Sequence, residues 1–115
     1  MANALTIIEE LDDGRFVVEY DLEDVKFEKT ITKGALRADL IGNAFKTIYS
    51  HLPVTIYTVD LEEDFEYEYP YAVTINKWTY YGSDVEYDDV ECITYKRKSA
   101  AENYFHKRNL EIADW

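Results

Sequence analysis

The sequence predicts an α+β domain: antiparallel sheet(s) of about six to seven strands in the order βββ-α-ββββ-α, packed by one central helix and a short C-terminal helix. Three observations predict it. Apolar and polar residues alternate in the first third and again from Val54 onward, the spacing turns helical between Gly34 and Pro53, and turn residues punctuate the alternating runs. With 47% hydrophobic and 16% aromatic residues among 115, the chain has material for a core, which excludes intrinsic disorder despite a net charge of -12. At this length it reads as a single acidic domain over residues 1–115.

The first element is a three-stranded meander. Asp13-Gly14 is a hairpin turn signal, since glycine readily adopts positive φ and aspartate tolerates it. A turn on those two residues sets Leu11 opposite Phe16, Glu9 opposite Val18 and Ile7 opposite Tyr20. Leu5, Ile7, Leu11, Phe16, Val18, Tyr20 and Leu22 then share the core face, with Thr6, Glu10, Asp12, Arg15, Glu19 and Asp21 on the other. A second reversal at Glu23-Asp24 sets Asp21 opposite Lys26 and Tyr20 opposite Phe27.

A helix is expected over Gly34 to Leu52, from the stripe Leu36, Leu40, Ile41, Ala44, Phe45, Ile48 and Leu52. Thr32 is its expected cap, Pro53 its stop, and Gly42 an interior glycine costing about 1 kcal/mol relative to alanine. Strands follow at residues 54–59, 65–69, 71–80 and 85–95, the last two joined through Gly82-Ser83-Asp84. Ser99-Ala100-Ala101-Glu102 has capping-box spacing, and Ala101, Tyr104, Phe105, Ile112 and Trp115 form the apolar side of a C-terminal helix.

The acid is concentrated. Residues 1–25 carry net -7, 26–58 net +3, 59–91 net -10 and 92–115 net +2. In the most acidic quarter, Glu62, Glu63 and Asp64 precede a run in which Glu66 and Glu68 alternate with Phe65, Tyr67 and Tyr69. Further on, Asp84, Glu86 and Asp88 alternate with Val85 and Tyr87, followed by Asp89. On strands, each alternating set projects from one face with about 6.7 Å between neighbours. Like charges so placed work against compactness. Strands must show water something, and a solvated acidic face accounts for the same pattern without a site.

In size, charge and the placement of acids on a strand scaffold, the chain resembles the small acidic DNA-mimic proteins, many of them phage-encoded inhibitors of restriction, repair or CRISPR enzymes. No shared motif carries the resemblance. It implies a non-enzymatic inhibitor whose carboxylates stand in for phosphates and occupy the Lys/Arg groove of a DNA- or RNA-binding host protein. The residues expected to touch that partner are Glu62, Glu63, Asp64, Glu66, Glu68, Asp84, Glu86, Asp88 and Asp89, with Tyr67, Tyr69 and Tyr87 as anchors. Eleven tyrosines fit such a role, because a tyrosine ring gives contact area at low entropic cost and attracts cations, although alternating tyrosine also serves half-buried sheet packing. The alternative is a structural or assembly protein, a small virion or oligomer component docking through charge-segregated faces.

Catalytic and cofactor chemistry is sparse. His51 and His106 are the two histidines, both at or within helical spacing, and Cys92 shares a strand face with Val90 and Thr94 as a small buried strand residue. Asp84 to Asp88 has the spacing of an opening calcium loop, but Asp89 stands where the turn glycine belongs and Tyr95 where the bidentate glutamate belongs. No phosphate-cradling glycine motif, dinucleotide fingerprint or zinc spacing is present, so no enzyme activity, cofactor or metal is expected. The basic run Lys96-Arg97-Lys98 with Lys107 and Arg108 is opposed as a nucleic-acid site by the net charge. It complements an acidic face instead, either of the same subunit or of a neighbour, and the latter would make a homodimer. One cysteine and no membrane-length apolar run predict a reducing cytoplasm, the host's for a viral chain, and no membrane partner. Met1-Ala2-Asn3-Ala4 leads straight into a strand pattern, so neither a signal peptide nor N-myristoylation is expected.

Overall fold

The computed structural model describes residues 3–42 and 44–112. Its elements are β1 (Ala4–Glu10), β2 (Phe16–Asp21), β3 (Lys26–Ile31), α1 (Lys33–Ile41), β4 (Thr47–Glu63), β5 (Tyr71–Gly82), β6 (Asp84–Tyr95) and α2 (Lys98–Ile112). The fold is α+β with a mixed six-stranded sheet in the hydrogen-bonded order β3-β2-β1-β4-β5-β6. Two compact units share the chain: Met1–Val54 with Thr79–Val85, and Thr55–Trp78 with Glu86–Trp115.

In the first unit the meander forms, with a slipped register. Glu10 pairs with Phe16, Ile7 with Val18 and Leu5 with Tyr20, and a bulge lies between Ile7 and Glu9. The connection is wider than two residues because the Leu11 amide donates to the Arg15 carbonyl at 2.7 Å, while Gly14 sits at φ 86 and Asp13 accepts from both the amide and the Nε of Arg15. Beyond the bulge the slip amounts to two residues. Because side chains alternate with period two, that even slip keeps the faces there, and Leu5, Ile7 and Val18 are buried as expected, as is Phe16 on the turn side of the bulge, where the slip is one residue. The β2–β3 register is the expected one, with Asp21 opposite Lys26 and Tyr20 opposite Phe27.

Helix α1 is much shorter than the stripe predicts. Thr32 does cap it, its Oγ1 accepting from the Ala35 amide at 3.1 Å, and Leu36 and Leu40 are its buried residues. Gly42 ends it as the C-cap, donating its amide to the Ala38 carbonyl. Residues Thr47–Glu63 then form a strand, so Ile48, His51 and Leu52 are strand residues and His51 is exposed. The parallel pairing of Ala4 to Ile7 with Thr47 to Ser50 sets Leu5 beside Ile48 and makes the sheet mixed rather than antiparallel. Pro53, which lacks an amide donor, lies past that pairing, where no β1 partner needs it. Tyr20 ties α1 to the sheet: its hydroxyl donates to Asp39 Oδ2 at 2.7 Å, and its ring stacks on Phe27 at 5.2 Å. Burial first, then the Asp39 carboxylate, push the Tyr20 hydroxyl pKa up.

In the second unit α2 packs Ala101 and Ile112 on Val59, Val73 and Ile75, with Tyr57, Leu61, Tyr71, Tyr95, Tyr104 and Phe105 around them. Four of the five residues expected on its apolar side are there, and Trp115 lies outside the described residues. The helix begins at Lys98, so Ser99 lies inside its first turn rather than at the cap. The expected strand at 65–69 is a turn, which leaves three strands after α1 instead of four. Gly82, at φ 61, opens the β5–β6 reversal as its turn signal predicts.

Replacing Thr32 with alanine removes the acceptor for the Ala35 amide and is expected to lower unfolding free energy by about 1 kcal/mol, read as a shift in the urea midpoint.

Candidate partner-binding face

Strand alternation divides the second unit chemically. Val59, Val73 and Ile75 point to α2, so Thr58, Asp60, Glu62, Thr74, Asn76 and Trp78 point the other way. This opposite face has a buried polar centre. Asn76 is 0% exposed, and every polar atom of its amide is used: Nδ2 donates to Asp60 Oδ2 at 2.5 Å and to Thr58 Oγ1 at 3.5 Å, and Oδ1 accepts from the Tyr87 hydroxyl at 2.7 Å. Trp78 Nε1 donates to the same Thr58 oxygen at 2.9 Å, and its ring meets Tyr87 edge-on at 4.6 Å. Asp89 lies close to the Tyr87 hydroxyl and is the largest influence pushing its pKa up to about 12, followed by removal from water and the fields of Asp60 and Glu62. The fields of three carboxylates therefore act on one phenol.

Beside this network lies an open groove of about 900 Å³. Ala72, Pro70 and Thr94 line it together with the carboxylates of Glu62, Glu63, Asp64 and Glu68 and the rings of Tyr67 and Tyr69. One wall is the turn between β4 and β5. The Asp64 amide donates to the Pro70 carbonyl at 2.8 Å and closes the loop, Asp64 Oδ1 accepts from the Glu66 amide at 3.1 Å, and the Tyr67 amide donates to the Asp64 carbonyl at 3.3 Å. Those bonds hold residues 65–69 off the sheet as a turn. Phe65, Tyr67 and Tyr69 stand 72%, 68% and 46% exposed, interleaved with Glu66 and Glu68. Solvent-facing aromatics in that number are unusual for a short turn, since burying such rings is favourable.

Three of the five basic residues of the C-terminal segment, Lys96, Lys98 and Arg108, pair with acids of the same unit. Lys96 Nζ lies 3.6 Å from Glu68 and 5.0 Å from the centroid of the Tyr69 ring, and Lys98 Nζ lies 3.5 Å from Glu63. Arg108 bridges Glu91 at 3.1 Å and Glu111 at 2.5 Å, while the Tyr104 hydroxyl donates to Glu91 at 2.7 Å and pins α2 to β6.

Of the twelve residues expected to contact a partner, six line the groove: Glu62, Glu63, Asp64, Tyr67, Glu68 and Tyr69. Glu66 is exposed on the same turn, and Tyr87 with Asp89 belongs to the Asn76 network on the same face of the unit. Glu86 and Asp88 flank Tyr87 on β6 and so project from the other side of the strand, and Asp84 belongs to the first unit. The alternation of Glu66 and Glu68 along a strand is replaced by display on a turn. Sequence reasoning missed Asp60, Asn76 and Trp78, because their meeting depends on register between β4, β5 and β6. Cys92, expected to be buried, is exposed and accepts from Thr74 Oγ1 at 3.6 Å, since it falls on the face that α2 does not cover. Among the described residues no group of three or more His, Cys, Asp or Glu gathers to hold a metal ion, and no helix is long and apolar enough to cross a membrane.

Comparisons with protein-family models, with curated proteins and with solved structures find no match to this chain.

Replacing Tyr87 with phenylalanine leaves Asn76 Oδ1 buried without its donor and is expected to cost about 1–3 kcal/mol, measured by chemical denaturation. The pH dependence follows from the raised pKa. Between the ordinary value of 10.0 and the folded value of about 12, the unfolded chain has lost a proton that the folded chain still holds, so Tyr87 makes stability fall as pH rises through that window. Tyr87→Phe removes that share of the alkaline slope, and phenolate absorbance should show one fewer late-titrating tyrosine.

Proposed function

We propose that the chain is a non-enzymatic binding protein whose acidic, tyrosine-bearing face covers the Lys/Arg surface of a nucleic-acid-binding protein and so competes with nucleic acid for it. The observation that carries this reading is the turn at residues 64–70. Three exposed aromatic rings alternate there with carboxylates, and Asp64, Tyr67, Glu68 and Tyr69 of the turn line an open groove together with Glu62 and Glu63. Exposed rings supply contact area, and carboxylates supply the charge that a phosphate-binding groove is built to meet. The gathering of Glu62, Glu63, Asp64 and Glu68 around one groove further supports it, because a phosphate-like display requires charges to act together. The acids of β6 add to the long-range field that steers a basic partner, without lining the groove.

The test is retention of a DNA-binding protein on the immobilised chain and its release by excess duplex DNA. Charge reversal at Glu62, Glu66 and Glu68 together should weaken retention at least about tenfold, while the equal change at Asp84, Glu86 and Asp88 weakens it less. Far-UV circular dichroism checks that both variants fold. Retention that ignores DNA, or that survives the groove-side reversal, overturns the reading; recovery of the chain itself or of structural proteins in that case points to an assembly role.

A further inference from the structure

The groove carries more information than its charge, because the chain already seats a cation on its wall. Lys96 reaches back from the end of β6 and places its ammonium over the Tyr69 ring while pairing with Glu68. A carboxylate beside an aromatic face is a recognition arrangement for an organic cation. Both members of the Lys96–Glu68 pair are solvent-exposed, with side chains 59% and 76% accessible, so the pair contributes little to stability and is readily exchanged.

We infer that the groove receives an arginine side chain of the basic partner, and that Lys96 occupies the place of that guanidinium until the partner displaces it. This rests on the reading of the face as a surface for a basic protein and names the group it recognises. An ammonium is a compact, strongly hydrated point charge. A guanidinium is planar and weakly hydrated, stacks on a tyrosine ring and forks onto a carboxylate with two parallel hydrogen bonds. The groove offers what distinguishes the two: the rings of Tyr67 and Tyr69, the carboxylates of Glu62 and Glu68, and apolar lining at Pro70 and Ala72 for the methylene stem. A volume of about 900 Å³ exceeds what one side chain fills and admits the flanking residues of an extended segment. A divalent metal ion does not fit as the occupant, since no cluster of three or more ligating side chains forms among the described residues.

The experiment titrates the full chain with capped hexa-arginine and hexa-lysine peptides of equal charge, by calorimetry and by amide chemical shifts. Hexa-arginine is expected to bind about tenfold more tightly, with shifts concentrated at residues 62–72 and 94–96. Tyr69→Ala, at an exposed position outside the core, should bring the two peptides to similar affinity. Lys96→Met should raise hexa-arginine affinity by about threefold or more, and Lys107→Met, which removes the same charge from an exposed site on α2, by clearly less. Equal affinity of the two peptides, or equal gains from Lys96→Met and Lys107→Met, overturns the inference and leaves net charge as the whole effect. DNA-competed retention of a protein partner separates the two claims: if it persists without arginine selectivity, only the inference falls. If arginine selectivity persists without such retention, the groove stands and the nucleic-acid competition falls.

Discussion

A strand has two faces, and in the second unit α2 covers one of them. That constraint determines what the other face must do. Once Val59, Val73 and Ile75 are packed beneath Ala101 and Ile112, the alternate residues of β4 and β5 are committed to a surface without a helix of that unit over it. That surface is polar, and its deepest member, Asn76, is satisfied by Asp60, Thr58 and Tyr87 rather than by water. A buried amide with its partners in place is rigidifying, whereas the same amide with one partner removed costs free energy. The network therefore fixes the orientation of Tyr87 and Trp78, and with them the carboxylate of Asp60, which a merely solvated acidic face would leave free to rotate.

Strand β4 shows how much of this was legible in the sequence and why the rest was not. The Thr32 cap and the β2–β3 register are local, set by residues a few positions apart, and sequence reasoning finds both. The first hairpin is read with a register error, yet Leu5, Ile7 and Val18 keep their core face because the error beyond the bulge is even. By contrast, Ala44, Phe45, Ile48 and Leu52 fall at helical spacing by coincidence. The true alternation, through Ile48, Ser50, Leu52, Val54 and Ile56, is interrupted by a serine. Further along, the burial passes to Val59, an odd position, so no single period describes the whole strand. What makes residues 47–50 a strand is the parallel partner β1, some forty residues earlier in the chain, and non-local pairing leaves no local signature.

The turn at 64–70 illustrates the opposite failure, a local pattern that is present and misleading. Alternating aromatic and acidic residues have the period of a strand, and bulky rings have strand propensity. Asp64 and Pro70 outweigh both. The Asp64 carboxylate offers the Glu66 amide a local partner, and Pro70 has no amide to give to a ladder, so the segment is cheaper to fold as a closed turn than as a pairing strand. The candidate contact residues were thus identified by chemistry while their scaffold was misassigned. A turn displays Phe65, Tyr67 and Tyr69 with the carboxylates on one protrusion, whereas a strand would have sent rings and acids to opposite faces.

The segment that follows β6 joins stability to the electrostatics of the groove. Arg108, held between Glu91 and Glu111, and Tyr104, held by Glu91, anchor α2 on β6. Lys98 is the first residue of that helix and Lys96 lies just before it, so docking α2 also brings two ammonium groups to the acidic rim, at Glu63 and Glu68. The anchoring charges are partly buried, and the rim charges are exposed. Salt and competing cations act mainly on exposed pairs, because screening is weaker where water is excluded. The arrangement therefore separates two populations of ion pair in one short stretch of chain: one is partly buried and holds the helix in place, and the other is exposed and is screened by salt without loosening the fold. At the groove, Lys96 and Lys98 offset part of the like charge gathered on Glu68 and Glu63.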